Sequence, residues 1–316
     1  MTDIILDTII IGAGPAGISA AVYASRTGLN NLVLEDISSR SQISLTDRIE
    51  NFPGLTEGIP GYLFIENLKK QASKFGAKFE SSKVTGIRQT GDGKNKEFLV
   101  TGEEKTYKAL SVIIATGASP GKLGVPGEET YFGRGISHCA VCDAPFFKNK
   151  TVVVVGGGDS AIQNSLFLTK FAEKILLIHR RDRLRAKKFL QDKIFAEKKV
   201  SFLWNSVVES ISGDNTIKSV TIKNIATNEK KDIPCDGVFV FIGWKPNTGF
   251  AGELLNRDDA GYIITGPGMN TSVEGIYAGG DCRVTPLKQA ITASSDGAVA
   301  AMSAHKYIDI IKGTVY

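Results

Sequence analysis

Two glycine-rich turns, each placed directly after a run of β-branched and aliphatic residues, constrain the fold of this 316-residue chain more than any other feature. The first is GAGPAG at residues 12–17, which follows TIII at 8–11. The second is GGGDSA at 156–161, which follows TVVVV at 151–155. In a strand–turn–helix unit such glycines permit a tight turn, and the helix N-terminus presents free N–H groups to a pyrophosphate. The pattern predicts an α/β protein with two Rossmann-like, three-layer ββα nucleotide-binding domains.

The residues after the first turn favour a dinucleotide with an unphosphorylated ribose. The helix is predicted from about residue 18 to residue 27, and the next strand, 31–34, ends at Glu35. This position lies close to the ~20-residue offset at which a carboxylate binds ribose hydroxyls. A glycine-rich turn in some other α/β protein is the alternative, and the ordered strand, helix, strand and acid argue against it. The turn residues expected to bind the cofactor are Gly12, Gly14, Pro15, Ala16 and Gly17.

The residues after the second turn favour a 2′-phosphorylated dinucleotide, NADPH. The helix here is predicted to extend to about residue 171, and the next strand, 174–178, ends in the sequence HRRDRLR at 179–185. A carboxylate at this position would repel a 2′-phosphate, whereas guanidinium groups bind it through charge-assisted hydrogen bonds. A solvated helix start or a nucleic-acid patch is the weaker interpretation, because the arginines occupy the ribose-reading position. The turn residues expected to bind NADPH are Gly156, Gly158, Asp159, Ser160 and Ala161.

Between the two turns lies a pair of thiols, Cys139 and Cys142, with Asp143 directly after the second. One turn of chain brings such sulfurs close enough to form and break a disulfide. Zinc is the main competing interpretation, but a structural zinc site needs four ligands. The chain has no second CxxC, and its three histidines show no ligand spacing. The sequence therefore predicts a redox pair on an electron path and no metal site.

Composition narrows the class of protein. With 42% hydrophobic and 22% charged residues, the chain has the makeup of a soluble globular protein, and its length suffices for two domains with their own cores. A net charge of +5 is too mild to argue for nucleic acid or membrane as a partner. No apolar run approaches the ~18 residues of a membrane span, and the N-terminus begins a strand rather than a signal peptide. The expected location is the reducing cytoplasm, where a close cysteine pair is more often catalytic or metal-binding than structural.

Two later strand patterns return the chain to the first fold. Residues 111–117 end in a small-residue turn, and residues 275–281 end in Asp281 after two glycines. Segments 116–122 and 243–247 are the predicted crossing points, and two short connections make a plausible hinge. The expected domains are the first part of an outer domain at 1–117, an inserted domain at 118–245, and the second part of the outer domain at 246–316. Further predicted elements are a helix at 66–75 and strands at 201–211 and 219–223.

Taken together, these motifs resemble those of the low-molecular-weight thioredoxin reductases, and the resemblance extends along essentially the whole chain. The stretches that carry it are 12–17, 50–54, 115–117, 139–143, 156–161, 179–185 and 279–281. The resemblance implies FAD on the outer domain, NADPH on the inserted domain that carries the CxxC, and a homodimer. It also implies an NADPH-dependent thioredoxin-disulfide reductase whose inserted domain rotates between the half-reactions.

Residue roles follow from the resemblance by position. Cys142 would face the flavin, Cys139 would attack the disulfide of thioredoxin, and Asp143 would handle the proton that a leaving thiolate requires. The NADPH positions beyond the second turn are His179, Arg180, Arg181 and Arg185. The FAD positions beyond the first turn are Glu35, Gln42, Asn51, Thr116, Gly117, Gly280, Asp281, Lys288, Gln289 and Ala290.

The chain departs from the family pattern at four places. The stretch RSQ at 40–42 replaces the usual Gly-Gly-Gln, and Lys288 replaces an arginine. His138 stands where an aromatic or small residue is more common, and Ala-Pro at 144–145 follows Asp143 where glycine is more common. Glycine permits positive φ and close backbone approach, so the loop at 37–46 is expected to run differently beside the flavin. An imidazolium at His138 would lower the pKa of the Cys139 thiol, although an uninvolved, partly buried side chain is the favoured interpretation.

Three other functions stay open from the sequence. A flavin-dependent disulfide reductase or oxidase of the same fold would use ferredoxin or NADH as its donor, or a different dithiol partner, although the arginine-bearing second turn argues against it. A ferredoxin–NADP reductase of similar architecture would lack the cysteine pair. A non-enzymatic, redox-sensing module would bind NADPH without turnover.

Overall fold

The computed structural model describes residues 5–37, 41–46, 48–91 and 96–314. The chain forms two compact units: an outer unit, Met1–Ser119 with Lys245–Tyr316, and an inserted unit, Pro120–Trp244. The boundary after Ser119 lies two residues from the one expected after residue 117, and the boundary after Trp244 lies one residue from the one expected after residue 245. Arg40, which belongs to the altered flavin loop expected from the sequence, lies outside the described residues.

The helices and strands of the described residues follow the alternating order expected for nucleotide-binding folds. In chain order they are β1 (Ile5–Ile11), α1 (Pro15–Arg26), β2 (Asn31–Glu35), α2 (Gly61–Lys74), β3 (Lys78–Ser81), β4 (Gly86–Thr90), β5 (Glu97–Thr101), β6 (Thr106–Ile114), β7 (Ala118–Pro120), β8 (Ile136–Ser137), α3 (Ala140–Asp143), β9 (Thr151–Val155), α4 (Asp159–Leu168), β10 (Lys174–Ile178), α5 (Lys188–Phe195), β11 (Val200–Leu203), β12 (Ser206–Gly213), β13 (Ile217–Asn224), β14 (Lys230–Pro234), β15 (Gly237–Val240), β16 (Trp244–Pro246), β17 (Ile276–Ala278) and α6 (Ala290–Lys312). No helix among them is long and apolar enough to cross a membrane.

The outer unit is a three-layer ββα fold whose sheet has seven strands within the described residues. The order is β3-β2-β1-β6-β5-β4, and β17 also pairs with β6. Strands β3, β2, β1, β6 and β17 are parallel, whereas β4, β5 and β6 form antiparallel pairs. Strand β1 is covered on both faces and therefore carries a nearly continuous apolar run. Ile10 packs with the helices, while Ile9 and Ile11 pack with Phe98 of β5 on the opposite face.

The two helices α1 and α6 approach each other closely on one face of the outer sheet. A Cβ atom added at Gly297 of α6 would lie 1.9 Å from the Ala16 carbonyl oxygen of α1. Within α1, a Cβ atom at Gly17 would lie 1.8 Å from the Gly12 carbonyl oxygen. Glycine is therefore required at both positions for steric reasons, and the packing of α6 determines where the first glycine turn lies.

The inserted unit repeats the ββα design. Its parallel sheet has the order β11-β10-β9-β15-β8 over the described residues, and β12, β13 and β14 form a separate antiparallel sheet. Along β9, Val152 and Val154 pack with residues of α4 and α5, whereas Val153 and Val155 pack with the antiparallel sheet. The first glycine turn therefore follows the carboxyl end of β1, and the second follows the carboxyl end of β9. Both are central parallel strands, and ligands of open α/β sheets bind at this end.

Several predicted elements have different bounds in the structure, while β2, β9 and β10 end where the sequence placed them. Helix α1 begins at Pro15 rather than near residue 18, because the fixed φ and missing N–H of proline suit the first helical position. Helix α4 ends at Leu168, three residues before the predicted end, and α2 begins five residues early at Gly61. The strand predicted at 201–211 is interrupted, since Asn205 adopts a positive φ of 49° and separates β11 from β12.

Replacement of Gly297 by alanine is expected to lower the stability of the protein by about 1–3 kcal/mol, because the added methyl group would overlap the Ala16 carbonyl. Urea unfolding of the flavin-free protein measures the change. Ser295→Ala adds no bulk at an exposed site of the same helix and should change stability by no more than about 0.5 kcal/mol. Equal effects of the two substitutions would contradict the explanation by close packing.

Candidate redox site and nucleotide-binding sites

The cysteine pair forms a disulfide in the structure. Cys139 and Cys142 are joined with a Cα–Cα distance of 5.3 Å. Cys139 is the N-cap residue of the short helix α3, and its Sγ accepts a hydrogen bond from the Cys142 backbone N–H at 3.2 Å. The Cys139 N–H in turn donates to the Ser137 hydroxyl at 3.0 Å. The pair thus follows directly on β8, at the edge of the inserted parallel sheet, and is anchored there by backbone hydrogen bonds.

The surroundings of the disulfide are accessible and partly apolar. Both cysteines and Asp143 are half-buried. Val141, between the cysteines, is 49% exposed, and Phe146 is 39% exposed. A half-buried disulfide bordered by exposed apolar side chains suits exchange with the disulfide of another protein. Within the described residues, no cluster of three or more histidine, cysteine and acidic side chains has a metal-binding arrangement.

The surroundings of His138 disfavour a positive charge on its imidazole. Its Nδ1 lies 3.1 Å from the Val240 carbonyl oxygen, and its ring packs near Phe132 and Trp244. Burial lowers the pKa of the imidazole, which outweighs the opposing effects of the Val240 hydrogen bond and of Glu128. A neutral ring that donates from Nδ1 to Val240 explains this geometry. It supports the uninvolved side chain over an activating imidazolium.

The first glycine turn forms an open cradle at the end of β1. Gly12 has a φ of 106°, and its N–H donates to the Leu34 carbonyl at 2.8 Å. A Cβ atom at Gly12 would lie 2.4 Å from the Ala115 carbonyl oxygen, so the turn rests directly on the end of β6. A Cβ atom at Gly14 would meet nothing within 4 Å. The space beside Gly14 is therefore free for a ligand at the N-terminus of α1, where no side chain caps the helix.

A second turn, from the distant C-terminal part of the chain, lies against the first. Gly280 has a φ of 76°, and a Cβ atom on it would approach the Ala16 Cβ to 3.0 Å. The Gly280 N–H donates to the carboxylate of Asp296 at 3.0 Å, and Arg283 binds the same carboxylate through Nε at 2.7 Å and Nη2 at 2.9 Å. The structure thus brings the residues expected at 12–17 and at 280–281 together at the carboxyl edge of the outer sheet.

Asp281 follows this turn and has an unusual ionisation. Burial raises the pKa of its carboxyl group from 3.8 to about 6, the nearby Lys288 ammonium lowers it, and the charge of Asp296 raises it further. Lys288 in turn lies over the Tyr262 ring, 3.8 Å from its centroid. Burial lowers the pKa of the Lys288 ammonium despite the attraction of Asp281. An ionisable pair at the edge of an open cradle is typical of a ligand-binding site.

The other residues predicted at the first site also lie in the outer unit. The Gln289 side chain accepts a hydrogen bond from the Asn51 amide at 2.9 Å and caps the N-terminus of α6, which begins at Ala290. The Gln42 amide donates to the Ala118 carbonyl. Thr116 and Gly117 exchange hydrogen bonds with Asn247, and the Thr116 hydroxyl donates to the Asn247 carbonyl at 2.7 Å. Glu35, at the end of β2, is paired with Lys69 of α2.

The second glycine turn has the same design in the inserted unit. The Gly156 N–H donates to the Ile178 carbonyl at 3.1 Å, and a Cβ atom at Gly156 would lie 2.5 Å from the Phe241 carbonyl oxygen. A Cβ atom at Gly158 would meet nothing within 4 Å, which leaves this turn open as well. The residues Asp159, Ser160 and Ala161 form the first turn of α4.

The expected 2′-phosphate residues lie beside this turn. Arg180, Arg181 and Arg185 are exposed at the end of β10, and the Arg185 N–H donates to the Gly157 carbonyl at 2.7 Å. His179 is buried, with 5% of its surface exposed, and its Nε2 has no hydrogen-bond partner. Burial, and then the charge of Arg185, lower the pKa of its imidazole. A buried ring nitrogen without a partner at this edge suits a polar ligand group that completes its hydrogen bonding.

Sequence reasoning missed four residues that position these sites. They are Lys69, which contacts Glu35; Arg283 and Asp296, which hold the Gly280 turn; and Trp204, whose ring lies edge-on to His179 at 6.3 Å. Asp159, predicted as a cofactor contact, also accepts a hydrogen bond from the Lys187 N–H at 2.8 Å and so holds the segment after Arg185. No motif marks these residues, since each acts on a partner far away in sequence.

Known proteins are similar to this chain in sequence and in fold. The family described as pyridine nucleotide-disulphide oxidoreductase matches residues 6–297. The chain is 45% identical over 306 residues to a thioredoxin reductase of Treponema pallidum, which covers 97% of this chain and 98% of the relative. It is 43% identical to a thioredoxin reductase of Peptoclostridium acidaminophilum, over 96% of this chain and 98% of the relative. The crystal structure of thioredoxin reductase from Streptococcus pyogenes has a TM-score of 0.92 at 42% identity and covers 98% of this chain and 100% of that one. The chain therefore belongs to the pyridine nucleotide-disulphide oxidoreductase family, and within it the chain is similar to thioredoxin reductases.

Proposed function

We propose that the protein is an NADPH-dependent thioredoxin-disulfide reductase that transfers electrons from NADPH through FAD and the Cys139–Cys142 disulfide to a thioredoxin-like protein. The observation that carries the proposal is the disulfide between Cys139 and Cys142 in a chain with two open glycine cradles, one next to an acid and the other next to arginines. Each part of the electron path thus has a matching group of residues. Rotation of the inserted unit between the half-reactions belongs to the proposal.

The outer unit fits FAD. The open space at Gly14 suits a pyrophosphate at the N-terminus of α1, Glu35 suits the adenosine ribose, and Asp281 suits the ribityl or phosphate groups. When bound, FAD supplies a carrier that accepts two electrons as hydride and gives them up to a disulfide. Thr116, Gly117, Lys288 and Gln289 lie in the same unit and are proposed to border the flavin.

The inserted unit fits NADPH. Arg180, Arg181 and Arg185 present exposed guanidinium groups at the position that reads the ribose, and no acid ends β10. Arginine binds a phosphate through charge-assisted, often bidentate hydrogen bonds. The unpartnered His179 Nε2 would gain a hydrogen bond from the ligand. The charge at the end of the second strand thus distinguishes the two proposed cofactor sites.

The cysteines carry out the exchange with the protein partner. Reduction of the Cys139–Cys142 bond consumes two electrons and two protons. The Cys139 thiolate then attacks one sulfur of the partner's disulfide, the other partner sulfur leaves as a thiolate and takes up a proton, and a mixed disulfide forms. Attack by Cys142 on Cys139 releases the partner dithiol and restores the original bond. Asp143, directly after Cys142, is proposed to hold and transfer the protons of these steps.

A second copy of this chain is the partner we propose for the exposed face of α6. This face carries Ile291, Val299, Met302 and Ile310, which are between 36% and 63% exposed and recur at helical spacing. A monomer would leave this apolar stripe in water, whereas a symmetric dimer would bury the stripes of both copies against each other. Sedimentation equilibrium measures the oligomeric state, and a monomer at micromolar concentration would contradict the proposal.

Other electron donors are the alternative within the same fold. A ferredoxin- or NADH-fed reductase, or one with a different dithiol partner, would keep the disulfide but would not need the arginines at 180–185. A redox-sensing module would bind NADPH without turnover. Anaerobic stopped-flow absorbance separates these functions, since only the proposed enzyme bleaches its flavin with NADPH and is reoxidised by thioredoxin.

Replacement of Cys142 by serine is expected to abolish thioredoxin reduction while NADPH still bleaches the flavin, because the disulfide that follows the flavin is missing. The control is Cys235→Ala: Cys235 is buried, and burial raises the pKa of its thiol to about 12, so it should not take part in exchange. Reductase activity that survives in Cys142→Ser would contradict the proposed path, and a parent flavin that NADPH fails to bleach would contradict the donor.

Replacement of Arg180 and Arg181 by alanine is expected to raise KM for NADPH by at least about 10- to 100-fold, the effect of losing charge-assisted hydrogen bonds of roughly 1.5–3 kcal/mol. KM for NADH should change little, because NADH lacks the 2′-phosphate. Arg134→Ala removes another exposed guanidinium of the inserted unit and serves as the control. Steady-state kinetics measures KM for both nucleotides. Equal increases of KM for NADPH and NADH would mean that the arginines do not bind the 2′-phosphate.

The raised pKa of Asp281 predicts a pH-dependent stability of the flavin-free protein. Between about pH 4 and pH 6 the folded form keeps a proton that the unfolded chain releases, so this group's contribution to stability falls as pH rises through that window. Asp281→Asn removes the effect and should gain up to about 3 kcal/mol over the parent above pH 6, but little below pH 4. Urea unfolding across pH, with the exposed Asp214→Asn as control, tests this. A constant difference between Asp281→Asn and parent across pH would contradict it.

A further inference from the structure

The acid at the end of the first nucleotide fold is held by a lysine that no nucleotide-binding motif includes. The Lys69 Nζ lies 2.8 Å from Glu35 Oε1 and 2.5 Å from Oε2, so one ammonium group bridges both carboxylate oxygens. The two side chains are only 30% and 27% exposed. The next lysine of α2, Lys70, pairs with Glu66 at 63% and 52% exposure. The Lys69–Glu35 pair is thus the more buried of two neighbouring ion pairs on the same helix.

The surroundings of the pair restrict its geometry. The Glu35 carbonyl accepts a hydrogen bond from the Ser82 N–H at 2.9 Å, which fixes the backbone at the end of β2. The Lys69 ammonium also lies 5.7 Å from the centroid of the Phe79 ring on β3. A cation that contacts an aromatic face on one side and a carboxylate on the other has few alternative positions. The flexible part of the arrangement is the Glu35 side chain, and Lys69 limits its freedom.

The bridging contact leaves the carboxylate able to bind a ligand. An ionised carboxylate has about four lone-pair sites, and one ammonium occupies no more than one on each oxygen. The remaining sites can accept two hydrogen bonds, as the neighbouring hydroxyls of a ribose require. Glu35 lies at the position where a ribose-binding acid is expected, and Lys69 compensates its charge in a partly desolvated place.

We propose that Lys69 is a positioning residue that orients the Glu35 carboxylate toward the adenosine ribose, and so contributes to the recognition of the dinucleotide flavin at its adenosine end. The inference rests on the proposed function, in which the outer unit binds FAD. It adds a residue whose effect passes entirely through Glu35, and whose loss leaves the isoalloxazine end of the site unaltered.

Lys69 can be expected on physical grounds either to strengthen or to weaken FAD binding, so the test measures the direction of the change in FAD affinity. If the ammonium competed with the ribose for the carboxylate, removal of Lys69 would free Glu35 and strengthen FAD binding. If Lys69 orients the carboxylate, its removal leaves a mobile acid and weakens FAD binding. The direction of the change therefore separates the two.

The experiment measures dissociation constants by quenching of flavin fluorescence on the flavin-free full chain. The ligands are FAD and an FAD analogue whose adenosine ribose lacks the 2′- and 3′-hydroxyls. Lys69→Met should weaken FAD binding by roughly 5- to 30-fold and leave binding of the analogue within about 2-fold of the parent. Lys69→Arg should restore most of the affinity, and Lys70→Met, on the same helix, should change nothing.

A double-mutant cycle with Glu35→Gln tests whether the effect passes through the carboxylate. In the Glu35→Gln background, Lys69→Met should alter the FAD dissociation constant by no more than about 2-fold. Unchanged or tighter FAD binding in Lys69→Met would overturn the inference, and so would equal losses for FAD and the analogue, which indicate a general disturbance of α2. A parent protein that binds no FAD would overturn the proposed function itself, a result distinct from each of these.

Discussion

The close approach of α1 and α6 is the interaction on which the outer unit depends. With only a hydrogen atom at Gly297, the two helices come so near that the Ala16 carbonyl occupies the place of a side chain. This approach holds the N-terminus of α1 beneath the turn at Gly280, which Arg283 and Asp296 fix from the other side. Two segments from opposite ends of the chain thereby form one cradle, and its shape is set by helix packing rather than by the glycine motif alone.

The same strand–turn–helix frame occurs in both units, and the two copies differ in charge at one position. The second strand of the outer unit ends in Glu35, held by Lys69, whereas the corresponding strand of the inserted unit ends in His179 followed by arginines. Both turns leave open space at their third residue, Gly14 or Gly158, and in both the N–H of the first glycine donates to a carbonyl of the neighbouring parallel strand. In the function we propose, the backbone supplies phosphate affinity in each case, and the side chains after the strand decide which ribose fits.

Uninterrupted apolar runs made β2, β9 and β10 predictable to within one residue, because strands covered on both faces need side chains of one kind. Helix starts were less predictable: the glycine turn and the first helical residue overlap at Pro15. The break at Asn205 was missed, since a single left-handed residue carries no periodic signal. Candidate site residues at strand ends could be named from the sequence, whereas Lys69 and Asp296 make contacts that only the folded chain defines.

The path of the chain between its two units bears on how such proteins can diversify. The inserted unit begins and ends on the paired strands β7 and β16, where the Gly121 N–H donates to the Gly243 carbonyl at 2.7 Å. The flanking residues of the outer unit, Thr116 and Asn247, are hydrogen-bonded to each other as well. A segment with adjacent ends can be excised or exchanged without redesign of its host. Because its two ends are adjacent, recombination could replace the inserted unit as a whole while the fold of the outer unit persists.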